Sequence, residues 1–278
     1  MKPLVLYHAS CADGFTAAWI ATIALRDPEL VAVQYGSKAP PVTDRDVYVL
    51  DFSYPRAELL RMAAEAASIV VLDHHKTAQA ELADLDFCTF DMNRSGAMLT
   101  WKHFFPREPV PFLVDYVQDR DLWRWKLNDS RAINAYIRTH DFDICAWDCL
   151  QGELDDIGGH ADAVRAGEAL LRAQEQAVNA SCSHAHDVTL DGLTFPIVNC
   201  TGAHVSEVAG QLAAEHPSGV GACWFAVGPT EIVWSLRGRG GDAPDVSAIA
   251  KAHGGGGHRN AAGFRVPITK HVELLTRS

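Results

Sequence analysis

Three apolar runs of this chain end in residues able to bind cations or move protons. VLYH ends at His8, with Cys11 and Asp13 following in HASCADGF; VYVL ends at Asp51; IVVL ends at Asp73-His74-His75. Carboxylate oxygens and imidazole nitrogens together suit Mn²⁺, Mg²⁺, Fe²⁺ or Zn²⁺. Two such cations roughly 3.5–4 Å apart across a shared carboxylate activate a water and stabilise a leaving oxygen, which is the apparatus of phosphoester hydrolysis. Singly these residues are weak signals, because a strand-end Asp more often shapes a turn and a lone His more often sits in an ordinary surface or core. DHH is stronger, since three consecutive ionisable groups behind a buried run need an occupation. A competing chemistry is a Cys11 nucleophile with His8 as base, helped by the lowered thiol pKa of helix N-termini. That reading leaves Asp51 and DHH without a task.

The elements that must position these groups alternate. PLVLYH, VAVQY, VYVLDF and SIVVLDHH are β-branched and aromatic, and GFTAAWIATIAL and PRAELLRMAAEAA between them have helical spacing. Strand–helix–strand repetition with short links predicts a mainly parallel sheet, and the continuous apolar character of IVVL predicts a strand covered on both faces. Ligands of such sheets lie at the carboxyl ends of the strands, so three strand ends can converge on one crevice. Further on, Ser95 is placed to cap the helix SGAMLTWKHFF, and VPFLVDYVQDRDLW reads as a helix running into Asp119 and Asp121. A long helix from Gly158 serves as connector. From about residue 186 the texture changes to strands, which puts a domain boundary near 180–187.

The chain carries a net charge of −11, which argues against coating long nucleic acid. From Arg237 onward, however, seven Lys+Arg face three Asp+Glu, leaving an acidic body and a small basic end. That balance suits cations in one part and an anionic ligand in the other, although ordinary variation in surface charge would look the same. Seven scattered cysteines without a C-x-x-C pair read as mostly reduced thiols. No apolar window approaches the roughly 18 residues of a membrane span, and no signal-peptide pattern opens the chain. The expectation is a cytoplasmic protein with no membrane partner.

In GGGGHRNAAGF, consecutive glycines let the backbone approach a ligand and turn N–H groups toward an anion. His258 and Arg259 stand beside that nest, and Arg237 and Arg239 at the end of WSLRGRGG are expected near phosphate, Arg237 above all. A flexible linker is the alternative, but AAGFRV resumes a strand pattern at once. Cys182, His184 and His186, with Cys145 and Cys149 at i, i+4, lack any standard zinc spacing, and cysteines facing the core are expected instead. The tryptophans read mostly as core, with Trp123 and Trp125 as an alternative platform for a base.

These motifs resemble, in order and over nearly the whole chain, those of the DHH phosphoesterase superfamily. VVLDHHKTA is similar to its defining motif, HASCADGF to the first, LDFSY to the second, QDRDLW to the fourth, and GGGGHRNAAGF to the glycine-rich motif of the DHH-associated C-terminal domain. The resemblance implies an α/β fold: a mainly parallel-sheet catalytic domain (1–180) joined by a helical linker to a smaller mixed α/β substrate-binding domain (187–278), with the active site in the cleft between them. It implies one or two divalent cations, usually Mn²⁺. Carried over, His8 and Asp51 hold the first metal, and Asp13, Asp51, His74 and Asp119 hold the second, with Asp51 bridging. Asp119 is preferred to Asp121 because it directly follows YVQ. Asp73 orients a neighbour, His75 points toward the substrate phosphate, and Arg237, Gly255, Gly256, Gly257, His258 and Arg259 bind substrate. Cys11 stands where the family usually has a carboxylate; it is either a thiolate ligand favouring softer ions or a neutral thiol that leaves the first site a ligand short.

The activity so implied is a phosphodiesterase using a metal-activated water to release 5′-mononucleotides from short oligonucleotides, nanoRNA in particular. The alternatives are hydrolysis of a small bisphosphate or cyclic dinucleotide, and a nucleotide-binding protein with impaired catalysis. The expected partner is a short oligonucleotide or nucleotide, not long duplex nucleic acid, and the sequence allows a homodimer.

Overall fold

The computed structural model describes residues 2–200 and 202–276. The chain divides into two compact units, Met1–Leu171 and Arg172–Ser278. In the first, β1 (Leu4–His8), β2 (Glu29–Val33), β3 (Asp46–Leu50), β4 (Ser68–Asp73) and β5 (Cys88–Phe90) form one sheet in the order β2-β1-β3-β4-β5. Every neighbouring pair is parallel. α1 (Ala12–Ala24) follows β1, α2 (Arg56–Glu65) follows β3, α3 (Lys76–Leu82) follows β4, and α4 (Gly96–Phe104) follows β5. α5 (Phe112–Asp121), α6 (Ser130–Ile137) and α7 (Ile144–Asp155) come next, then the long α8 (Ile157–Cys182), within which the two units divide.

The parallel sheet is buried on both faces, as its unbroken apolar strands require. Leu4 and Leu6, Val47 and Val49, and Val71 pack on one side, with Leu59 and Met62 of α2. Val5, Leu50 and Leu72 point to the other, against Ala17, Ala21 and Leu99 of α1 and α4. Trp147 of α7 is fully buried and donates to Thr16 Oγ1 at 2.9 Å, which fixes the later helices to α1. Ser95 caps α4 as expected, its Oγ accepting from the Met98 amide.

The strand order reverses direction between β1 and β3, and in open parallel sheets the crevice at such a reversal receives the ligand. β1, β3 and β4 are side by side, so their carboxyl ends deliver His8, Asp51 and Asp73-His74-His75 to neighbouring positions.

The second unit holds β6 (His186–Leu190), β7 (Leu193–Asn199), β8 (Val220–Val227), β9 (Glu231–Gly238), β10 (Gly256–His258) and β11 (Ala261–Pro267). They form a mixed sheet in the order β10-β11-β9-β8-β7-β6, in which β7 and β8 are parallel and the other pairs antiparallel. α9 (Val205–Glu215), α10 (Val246–Ala252) and α11 (Ile268–Thr276) complete it. Its core centres on Trp234, fully buried and stacked on Phe264. Among the described residues no helix is long and apolar enough to cross a membrane.

Cys145 and Cys149 do not face the core: both are exposed. Positions i and i+4 share a helix face, but α7 buries Trp147, Leu150 and Leu154 instead.

Candidate metal centre and active site

Asp51 is the hub. It leaves β3 in the left-handed backbone region at φ 56, an uncommon conformation for a residue with a side chain. Its carboxylate is buried, with His74 Nε2 3.1 Å from Oδ1 and His8 Nδ1 3.5 Å from Oδ2. Gly96 makes the arrangement sterically feasible, because a Cβ there would lie 2.4 Å from the Asp51 Cβ. Gly14 does the same at β1, where a Cβ would stand 2.4 Å from the His8 carbonyl oxygen. Sequence reading did not single out these two glycines for the site. The Asp13-Gly14 and Ser95-Gly96 pairs at helix starts were the available signal.

Asp13 sits in the first turn of α1, 1% exposed, and accepts from the first two amides of α4: Gly96 N at 2.6 Å and Ala97 N at 3.0 Å. His74 Nε2 lies 3.8 Å from Asp13 Oδ2 and 3.5 Å from Asp121 Oδ2. Among the described residues, three groups bring one ligand atom each within 4.8 Å of the others: His8, Cys11 and Asp51; Asp51, His74 and His75; and Asp13, His74 and Asp121.

The structure does not bring Asp119 into this cluster. Its carboxylate faces the chain that follows α5 and accepts from the amides of Lys126 (2.9 and 3.0 Å) and Leu127 (3.3 Å). Positions two apart on a helix point to different sides, and the side that meets His74 carries Asp121.

Electrostatics mark the cluster as built for positive charge. Burial, then repulsion from Asp51 and Asp121, pushes the Asp13 carboxyl well above its usual range. Partial loss of solvent also raises the Asp121 carboxyl, offset in part by His74. Burial also works to raise Asp51, but hydrogen bonds from His74 and His8 outweigh it and hold that carboxyl at about 2. His74 loses solvent, which disfavours its charge, yet Asp51 and the surrounding carboxylates bring it to about 9. The carboxylates thus favour a positive charge on His74, where a bound cation would supply it instead. The donor set of oxygen and imidazole fits Mn²⁺, Fe²⁺ or Zn²⁺. Cys11 is half-buried, and burial followed by the nearby Asp51 charge pushes its thiol up to about 12. Without a cation it is a neutral thiol, not an activated nucleophile.

His75, at the edge of the cluster, is held by a partner of its own. Its Nδ1 meets Asp73 Oδ1 at 2.6 Å, and Asp73 is itself fixed by Ser53 Oγ (2.5 Å) and by the amides of His74 and His75 (2.7 and 3.2 Å). Asp73 is fully buried, so the imidazole orientation rests on a rigid support.

In the second unit, Gly256, Gly257 and Arg237 line a shallow cavity of about 450 Å³ together with Ser235, Ala262 and Gly263. Arg237 reaches Ser206 Oγ at 2.7 Å and the Leu236 carbonyl at 2.9 Å. Gly257 adopts φ +140, where a Cβ would meet the Ala261 carbonyl, so the close β10–β11 hairpin needs glycine there. Gly255 is needed for packing, since a Cβ would strike the Gly263 carbonyl. His258 is exposed on β10. Arg259 donates to the carbonyls of Ala243 (3.0 Å) and Gly241 (3.3 Å), which braces a loop. Trp123, 72% exposed, lies edge-on to Trp125, and Arg131 sits 4.7 Å over the Trp125 ring.

No family model matches this chain. It is 30% identical to an uncharacterized protein of Acanthamoeba polyphaga mimivirus, over 94% of this chain and 66% of that protein. The chain thus spans just under two thirds of the length of the relative it matches. Among solved structures it is similar to PggH from Vibrio cholerae, a pGpG-specific phosphodiesterase, with a TM-score of 0.57 and 16% identity over 98% of this chain and 95% of that one. The two share a fold.

Proposed function

We propose that this chain is a divalent-metal-dependent phosphodiesterase that cleaves short oligonucleotides to 5′-mononucleotides. The observation that carries the proposal is the place of Asp51: one carboxylate, at the reversal point of a parallel sheet, shared by two groups of ligand atoms. His8, Asp51 and Cys11 would hold one ion, and Asp13, His74 and Asp121 with Asp51 the other. Such ions supply Lewis-acid polarisation of the phosphate and a water acidic enough to react near neutral pH.

The protein's own groups account for the rest. Hydrolysis forms one bond from a water oxygen to phosphorus, breaks the bond to the leaving ribose oxygen, and delivers a proton to that oxygen. With Nδ1 committed to Asp73, Nε2 of His75 is left to face a phosphate oxygen or the leaving oxygen, and donates to it when the ring carries its second proton. Within the second unit, Arg237 and the glycine hairpin offer a guanidinium and close backbone approach to an anionic group. A short ligand, in place of long nucleic acid, suits the net charge of −11. The shared fold with a phosphodiesterase named for a linear dinucleotide supports the same substrate class.

The test is release of 5′-mononucleotides by purified protein across a Mn²⁺ titration. Substrates are dinucleotides, longer oligomers, cyclic dinucleotides and 3′,5′-bisphosphates. Preference for the linear dinucleotide is expected; turnover only of a bisphosphate or cyclic dinucleotide reassigns the substrate, and turnover of none overturns the proposal. A second reading, a nucleotide-binding protein with impaired chemistry, rests on Cys11, whose neutral thiol is a poor ligand for Mn²⁺. Tight nucleotide binding without hydrolysis, and with one weakly held metal at most, would favour it.

A further inference from the structure

Outside the ligand cluster, the first unit holds a cavity of about 940 Å³. It is formed by the loop between β2 and β3, the segment after β3, and faces of α2 and α3. It adjoins the candidate reaction centre through three shared residues. The Tyr35 ring stands 5.5 Å from that of His8, 6.0 Å from that of His75 and 4.9 Å from that of Phe52. Phe52 directly follows Asp51, and Ser53 holds Asp73. We propose that this cavity is a nucleobase subsite, holding one base of the substrate while the adjoining phosphate lies against the His/Asp cluster; this rests on the phosphodiesterase reading.

The lining suits a planar ring, and its cations are Lys38 and Arg61. Tyr35, Phe52, Pro40 and Pro41 provide flat apolar surface, and Tyr35 is 57% exposed, so its ring is open for stacking. Arg61, a natural phosphate ligand, is already committed to Glu58 and Glu65 at 2.7 Å each. Hydrogen-bonding capacity remains for a base. Tyr54 lines the cavity, is 3% exposed, and its hydroxyl has no partner among the described residues. Glu81 adds a carboxylate able to accept from an exocyclic amino group. The volume lies within the usual range for small-ligand sites and exceeds that of a base alone, which leaves room for its sugar.

The experiment compares a dinucleotide with its two abasic counterparts, each lacking one base, under Mn²⁺. It uses the wild-type protein, Tyr35→Ala and Thr77→Trp; Thr77 is exposed at the cavity edge, so the bulky side chain obstructs without disturbing the core. Loss of one particular base should lower wild-type kcat/KM about tenfold or more, chiefly through KM. In both variants that preference should shrink to about threefold or less. Equal cleavage of all three dinucleotides by the wild type, or full preference retained in both variants, overturns the subsite and leaves the phosphodiesterase reading standing. No cleavage of any of these dinucleotides by the wild type, with another substrate of the wider series turned over, overturns the subsite alone; turnover of no substrate at all removes both.

Discussion

Asp121 Oδ2 lies 3.5 Å from His74 Nε2, while Asp119, two positions earlier on another side of the helix, binds backbone amides instead. The two aspartates therefore separate function from folding. Asp121→Asn should weaken Mn²⁺ binding and lower kcat/KM by about 100-fold or more, with the metal-free protein no less stable because one of several converging like charges is gone. Asp119→Ala should orphan the Lys126 and Leu127 amides and cost about 1–3 kcal/mol, with metal affinity of the folded protein little changed. Calorimetric metal titration beside denaturant unfolding reads both effects; the opposite pattern would restore Asp119 as the ligand.

His75 and Asp73 form a second separable pair. His75→Gln should cut kcat by about 10²–10⁴ with little change in metal occupancy. Asp73→Asn keeps the shape but removes the charge that fixes Nδ1–H, and a drop of about 10–100-fold in kcat is expected. Steady-state kinetics at saturating Mn²⁺ checks both, and wild-type kcat in either variant would exclude His75 from the chemistry.

Cys11 decides how well the first ion is held. Cys11→Asp should raise Mn²⁺ occupancy there, because a carboxylate is ionised where a thiol pushed up to about 12 is not. Cys11→Ala should leave Mn²⁺ binding unchanged but weaken Zn²⁺ binding. Metal analysis after dialysis reads the outcome. Identical metal content in wild type, Cys11→Asp and Cys11→Ala would reduce Cys11 to a packing residue.

The metal-free protein should lose stability on the alkaline side. His74, brought to about 9 in the fold against an ordinary value near 6.5, contributes stability that is complete below pH ~6.5 and is lost as pH rises toward 9. Asp13 and Asp121 act in the same sense: carboxyls raised by burial and by neighbouring charge cost stability as pH climbs past their ordinary value. Chelator-treated protein should therefore show a falling Tm from pH 6.5 to 9. Bound Mn²⁺ should flatten that slope, and a metal-free Tm that rises across the same interval would contradict the electrostatic account.

The strand ends were legible because a buried parallel strand must be apolar throughout, so an ionisable residue at its end stands out; His8, Asp51, His74 and His75 converge, with Asp73 bonded to His75. Asp121 was not, because sequence gives the helical period of α5 but not its phase, which is set by what Leu113, Val114 and Val117 pack against. Cys145 and Cys149 were misread for the same reason, sharing a face that α7 turns to solvent. Short elements such as α6 and β10 carry too few residues to show a period. The cavity beside Tyr35 was invisible because its walls come from segments far apart in the chain, and no local pattern encodes their meeting.

Asp13 both faces the ligand cluster and fastens the first amides of α4. A descendant of this chain that abandoned its chemistry would still need that carboxylate to keep a helix in place. Persistence of Asp13 in a distant relative is therefore poor testimony that the relative is an enzyme. His8 and Asp121, nearer to solvent, are freer to drift and make the better witnesses.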